Sequence, residues 1–355
     1  MSKGLKIGVI FGLIVITLVA ALGCSTTSTT NPAITSTASS QQEVTLRMQS
    51  SYSPGTAVYE YNLRFADQVR KESNGLITID VYPDGQLVQG PDMPTALPAG
   101  TVDMALINQT IGWPGVIPEL NMMIALGLFD NLVHMERFTY GPFREMLKDK
   151  YSKINVKMLA YIYDGSLDTF CNNQRLIKLP EDVVGIKFRA PSATTVAAAE
   201  ALGGAGVIIA APETYMAIQR GTVNGVFGTT PGMGKTFKLF EVAKYWTRLP
   251  VSEGFRHVVV FNLDVWNSLS QENQKIIEHA ADDWEKQMVP AVLQDYAETW
   301  GAIASEPGVQ VYNVPPQDIS KFLALLAPST QKLISDKVPD WDVYQKMIED
   351  AKWVR

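Results

Sequence analysis

The stretch Gly185-Ile186-Lys187-Phe188-Arg189-Ala190-Pro191 places one arginine where a short strand gives way to a helix beginning near Ser192. A guanidinium offers a planar fork of donors that can take a carboxylate bidentately. A helix N-terminus adds partial positive charge and unpaired N–H groups. Both favour an anion, so Arg189 is the first candidate binding residue. The simpler alternative is a surface arginine in a strand-to-helix turn, since one short motif is weak evidence.

Other residue types able to do chemistry stand in less telling patterns. His134, His257 and His279 fall in no metal-ligand spacing, and each reads as a structural or surface residue. Gly228-Thr229-Thr230-Pro231-Gly232-Met233-Gly234-Lys235-Thr236 follows a strand and looks like a phosphate-binding loop. It has Thr229 where that loop needs glycine, and Pro231 removes an amide donor. Cys171, between Phe170 and Asn172, reads as a small buried hydrophobe with no His/Asn arrangement to make it a nucleophile. There is no Gly-x-Ser-x-Gly elbow. The expectation is a binding protein, not an enzyme, with no metal and no cofactor.

Composition narrows the class. The chain has 355 residues, enough for two compact lobes and a tail. Its net charge is −6, with 36 acidic against 30 basic residues, which is not a nucleic-acid binder's balance. An acidic protein that holds an anion must place positive groups locally. At the N-terminus Lys3 and Lys6 precede an apolar run from Ile7 to Ala20 and a small-residue ending at Ala21-Leu22-Gly23-Cys24, the layout of a secretory signal over 1–23. Cys24 resembles the lipidated cysteine of bacterial lipoproteins, although Leu22 stands one place later than is usual; a retained N-terminal anchor is the alternative. Residues 24–42 form a polar Ser/Thr-rich linker, so the body is expected outside the cytoplasmic membrane and tethered to its outer face.

The elements that must position Arg189 follow from periodicity. Val44, Leu46 and Met48 alternate as a first strand; Ala57 to about Glu72 reads as a helix, and Leu76 to Tyr82 as a second strand, making a β-α-β unit. Ala96 to Asp103, ending in Gly100-Thr101-Val102-Asp103, recurs 121 residues later as Ala217 to Asn224, ending in Gly221-Thr222-Val223-Asn224. Each copy reads as a helix end, a glycine in the left-handed cap and a following strand. This fits two lobes on related α/β plans. The strand of the first copy leads to Asn108 and the loop carrying Trp113, at the strand edge where open α/β sheets bind ligands. The strand of the second copy ends at Phe227 and Gly228. Glu136 to Lys150 reads as one surface helix, and Ser270 to about Ser305 as one long helix that Pro290, in its middle, should kink.

In order and spacing, Tyr82-Pro83-Asp84-Gly85-Gln86-Leu87, the two repeat copies, Leu179-Pro180-Glu181-Asp182, the Arg189 segment, Leu202-Gly203-Gly204 and Pro212-Glu213-Thr214-Tyr215 resemble a known family. It is that of the solute-binding proteins of tripartite ATP-independent periplasmic (TRAP) transporters, dicarboxylate-binding type. The resemblance implies a two-lobed, type II-like periplasmic-binding-protein α/β fold with a long helix spanning both lobes. Lobe one would comprise 43–165 plus about 256–290, and lobe two 166–255 plus about 291–355. It implies capture of a small organic acid, with Arg189 as carboxylate clamp and Gln49, Asn108, Trp113, Asp168, Phe227 and Gly228 about the cleft. It also implies separate membrane permease subunits as partners. Several relatives carry asparagine at the Gly228 position, and acidic-sugar binders have a second arginine where this chain has Leu167 and Asp168. A binding lipoprotein of the same fold that serves another importer or a sensor is the alternative.

Overall fold

A computed structural model describes residues 43–163, 169–250 and 257–352. Among them the strands, in chain order, are β1 (Val44–Ser50), β2 (Ile77–Tyr82), β3 (Met104–Asn108), β4 (Val156–Ile162), β5 (Thr169–Asn172), β6 (Lys187–Ala190), β7 (Ala205–Ile208), β8 (Gly225–Thr229), β9 (Tyr245–Arg248), β10 (His257–Asn262) and β11 (Gln310–Asn313). They make two sheets, ordered β2-β1-β3-β10-β4 and β11-β9-β5-β8-β6-β7. In the first sheet β10 runs antiparallel to both its neighbours, and in the second β5 does; the other pairings are parallel.

These two strands decide how the lobes face. An antiparallel strand starts at the edge where its parallel neighbours end. The chain can therefore leave the C-terminal end of β4 and enter β5 after the six residues 163–168, and leave β9 and enter β10 after the eight residues 249–256. A six-residue link reaches at most about 25 Å. Both links join the C-terminal edges of the sheets, so those edges lie across a cleft from each other. The result is the expected two-lobed α/β architecture.

The core of the first sheet is built from strands buried on both faces: Met104 to Ile107 of β3 and every residue of β10 are buried, as interior strands covered by helices on each side should be. The helix Ala57–Glu72, capped by the Thr56 side chain, covers one side with Tyr61, Phe65 and Val69. Gly100 and Gly221 close the two repeat copies at φ +75° and +74°, the left-handed conformation the repeat implied.

The helix Gln271–Ala304 binds the lobes together. It begins at Ser270, whose hydroxyl accepts from the Asn273 N–H at 3.1 Å, and runs unbroken through Pro290 for 34 residues, roughly 50 Å. Ile277, Ala281, Trp284, Met288 and Val292 enter the first core; Tyr296, Trp300 and Ile303 enter a core of the second sheet. These residues recur every three or four positions, so one apolar stripe serves both lobes. In the first lobe the helix is also fixed by charge. Glu285 is 7% exposed and takes a bidentate ion pair from Arg144, at 3.0 and 2.9 Å, while accepting from the Tyr161 N–H at 3.2 Å.

Some expectations change. Residues 136–150 belong to two helices, Leu132–Tyr140 and Pro142–Lys153, because Gly141 leaves helical geometry (φ −86°, ψ −148°) and Pro142 begins a new first turn. The sequence assigns about 291–355 to the second lobe while its last segment, from Ile319, is expected to pack back across the body; Ile334, Val338, Tyr344 and Ile348 enter the first core, and the helix Trp341–Ala351 lies against Leu132–Tyr140.

The loop resembling a phosphate site has a packing role. Gly234 lies in the helix Pro231–Thr236 under the indole of Trp246, and a Cβ there would sit 2.8 Å from Cζ3. Trp246 is fully buried, with Nε1 donating to Ala243 O at 2.8 Å, so it has little room to yield. Gly234→Ala is therefore expected to destabilise the protein by about 1–3 kcal/mol in urea unfolding. An unchanged midpoint would show that the tryptophan moves freely.

Candidate functional site

Arg189 lies on β6, the strand next to the β7 edge of the second sheet. It pairs with Val207 of β7 on one side and Val226 of β8 on the other; Val226 pairs with Cys171, and Cys171 with Trp246. Residues in one such row point to the same face. The guanidinium therefore leaves the sheet from an otherwise apolar row, and Arg189 is only 5% exposed. Its Nε donates to Ile209 O at 2.9 Å, just past the C-terminal end of β7, while Nη1 is buried with no hydrogen-bond partner among the described residues.

Burial pushes the guanidinium down to about 10, which still leaves it charged at neutral pH. The adjacent Cys171 cannot neutralise it, because burial pushes its thiol up to about 12 and keeps it protonated. A buried cation with an unsatisfied N–H is costly unless something negative completes it. Beyond β6, Ser192 caps the helix Ala193–Ala201: its hydroxyl accepts from the Thr195 N–H at 3.3 Å, and the Thr195 hydroxyl accepts from the Ser192 N–H at 3.0 Å. This box commits one of the helix's free donors internally, so the guanidinium is the main anion-seeking group.

The facing edge of the first sheet is polar. Asn108 ends β3, and its Oδ1 accepts from the Thr110 N–H at 3.0 Å and from the Thr110 hydroxyl at 2.6 Å, an Asx-type turn in which its NH₂ group takes no part. His257 begins β10 directly opposite Asn108, is fully buried, and hydrogen-bonds through Nε2 to the Tyr52 hydroxyl. The Tyr52 and His257 rings meet edge to face at 5.2 Å. Sequence reasoning read His257 as structural or surface and passed over Tyr52. The available signal was a histidine opening an apolar strand immediately after a lobe-to-lobe link.

Three expected cleft residues have other work. The Gln49 side chain is 1% exposed, accepts from the Leu87 and Val88 N–H groups at 2.7 and 3.2 Å, and donates to Tyr82 O at 3.0 Å and to Ser50 O. It fastens the loop after β2 to β1. Trp113 is fully buried in the first core with its ring 5.4 Å from Tyr151. Phe227 is fully buried, stacked on Phe170 at 4.3 Å, and as the neighbour of Val226 lies on the sheet face opposite Arg189. Gly228 does shape the edge. Pairing runs Thr229 to Thr169 and Phe227 to Phe170, so Gly228 is the extra residue of a bulge, with φ +72°. That left-handed backbone is one glycine or asparagine adopts most readily. Asp168 and Cys24 lie outside the described residues.

Two α/β lobes with polar edges facing across a cleft, one of them carrying a buried uncompensated cation, define a solute-binding protein of the clamp type. The profile of the DctP family, bacterial extracellular solute-binding protein family 7, matches residues 48–337. The chain belongs to this family, whose members bind solutes outside the cytoplasm. Among curated relatives, the sialic acid-binding periplasmic protein SiaP of Vibrio cholerae is 26% identical over 300 residues, covering 83% of this chain and 90% of its own. The C4-dicarboxylate-binding periplasmic protein DctP of Rhodobacter capsulatus is 25% identical over 241 residues, covering 67% and 71%. A TRAP periplasmic solute-binding protein from Ochrobactrum anthropi shares the fold with a TM-score of 0.79 at 23% identity, over 87% of this chain and 96% of that one.

The buried charge has a measurable cost. Arg189→Met keeps most of the volume and removes the unpaired cation, so the ligand-free protein is expected to melt about 2 °C or more higher, while any stabilisation by a carboxylate ligand is lost. A lower melting temperature for ligand-free Arg189→Met would mean that the guanidinium is already compensated.

Proposed function

We propose that this protein is the solute receptor of a TRAP-type transporter and captures a small organic acid through one carboxylate held by Arg189. The observation that carries this reading is the buried guanidinium with Nη1 unsatisfied and no counter-charge among the described residues. The names of relatives agree with it: sialic acid, C4-dicarboxylate and 2,3-diketo-L-gulonate for curated proteins, and pyroglutamic acid and succinate for solved structures, each carry a carboxyl group. With one clamping arginine, the ligand here has one clamped carboxylate and a less charged remainder that meets Asn108, Tyr52 and His257 across the cleft.

The mechanism follows from the two edges. A carboxylate entering the open cleft meets Arg189 in the second lobe and gains charge-assisted hydrogen bonds from a guanidinium that the protein itself buries. Contacts with the first lobe form only as the edges approach. Ligand therefore favours the closed form by the free energy of those added contacts. The closed form docks on permease subunits, which are separate chains. Lipid on Cys24 and the linker 24–42 keep the receptor at the outer face of the membrane.

A thermal-shift screen of monocarboxylates, dicarboxylates and aromatic acids is expected to give a hit that Arg189→Ala weakens by at least about thirtyfold, roughly 2 kcal/mol or more. Arg189→Lys should recover little, because an ammonium lacks the planar fork. Full affinity in a folded Arg189→Ala protein would remove the arginine from the site. Mass spectrometry of the mature protein is expected to find Cys24 as the first residue, carrying lipid. A chain still beginning at Met1 would instead make the signal itself the anchor.

A further inference from the structure

Far from the cleft edges, two helices of the first lobe bring together ligand types that the cleft does not use. Glu72 is the last residue of the helix Ala57–Glu72; His279 and Asp283 lie one turn apart on the long helix Gln271–Ala304 and share one side of it. One ligand atom from each residue lies within 4.8 Å of the others. His279 Nδ1 is 2.9 Å from Glu72 Oε2, and His279 Nε2 is 3.7 Å from Asp283 Oδ2. The other Glu72 oxygen accepts from Gln68 Nε2 at 2.9 Å, and the other Asp283 oxygen is 3.8 Å from the Lys286 ammonium. Beneath them Phe65 stacks on Trp284 with centroids 5.1 Å apart, which fixes the separation of the helices.

We propose that Glu72, His279 and Asp283 form a site for one divalent transition-metal cation of the zinc class, bridging these two helices. With no ion between them Nδ1 and Glu72 Oε2 share a hydrogen bond at 2.9 Å; two donors about 2.1 Å from a tetrahedral zinc are about 3.4 Å apart, so an opening of about 0.5 Å, with loss of the shared proton, admits the ion. These two atoms are the direct ligands. Asp283 Oδ2 lies 3.7 Å from the other ring nitrogen, an ion-pair distance; on closer approach it would accept from Nε2–H and leave the Nδ1 lone pair for the metal. Imidazole with carboxylate selects zinc, nickel or copper over magnesium and calcium, which prefer all-oxygen sets. The His279 side chain is 64% exposed, so the ion has direct access and completes its coordination with water.

The test is isothermal titration of the untagged full-length chain, in detergent, with zinc chloride, and in parallel with magnesium chloride. One zinc ion per chain is expected, with magnesium at least tenfold weaker. Zinc affinity should fall at least tenfold in His279→Ala and in Glu72→Gln, and by a smaller factor in Asp283→Asn. Circular dichroism should show all three surface variants folded. Absence of zinc uptake by the parent chain would overturn the proposal. So would uptake unchanged in folded His279→Ala and Glu72→Gln, which would place the ion elsewhere.

Discussion

Everything in this fold depends on where the chain may cross between its two sheets. Each sheet accepts one strand running against its parallel members, β10 in the first and β5 in the second. Because such a strand begins where its neighbours end, a short link suffices, and both links must lie on the C-terminal edges. Had β5 been parallel, the chain would have needed to travel the length of a lobe before entering it, and a six-residue link could not have done so. The cleft follows from strand direction alone. The long helix then limits how the lobes move, since one apolar stripe is buried at its first half in one core and at its second half in another.

Within that frame the site is divided unequally. The second lobe holds its charge in a row of apolar residues, Val207, Val226, Cys171 and Trp246, and among the described residues Ile209 O accepts from the guanidinium. The first lobe supplies polar groups that already have partners: Asn108 within its turn, His257 with Tyr52. This asymmetry suits a receptor. In the function proposed above, Arg189 would fix the anion, and the other lobe would read the remainder of the ligand as it closes.

Much of this was legible in the sequence where local chemistry governs. The helix Ala57–Glu72 announced itself by its period, and Gly100 and Gly221 by the left-handed turn each must make. The strands β5, β9 and β11 were not legible. Each is four residues long and mixes polar with apolar side chains, so its identity comes from pairing with distant strands and not from its own pattern. The same limit applies to the site. Arg189 could be read from its own neighbours, whereas the pairing of His257 with Asn108 joins residues far apart in sequence and exists only once β10 lies beside β3. Gln49 misled for a related reason: its position after a strand suited a ligand contact, but the unpaired N–H groups of Leu87 and Val88 were nearer and claimed its carbonyl.

The Arg189 arrangement also argues about ligand selectivity. In the proposed site the desolvated guanidinium of Arg189 makes Nη1, unpaired among the described residues, the price of specificity. A neutral molecule of the same shape leaves that N–H unpaired and the charge uncompensated, and is rejected for the same reason that the empty site is strained. Discrimination against neutral solutes thus needs no contact that recognises them. It arises from a charge the fold buries and leaves for the ligand to complete.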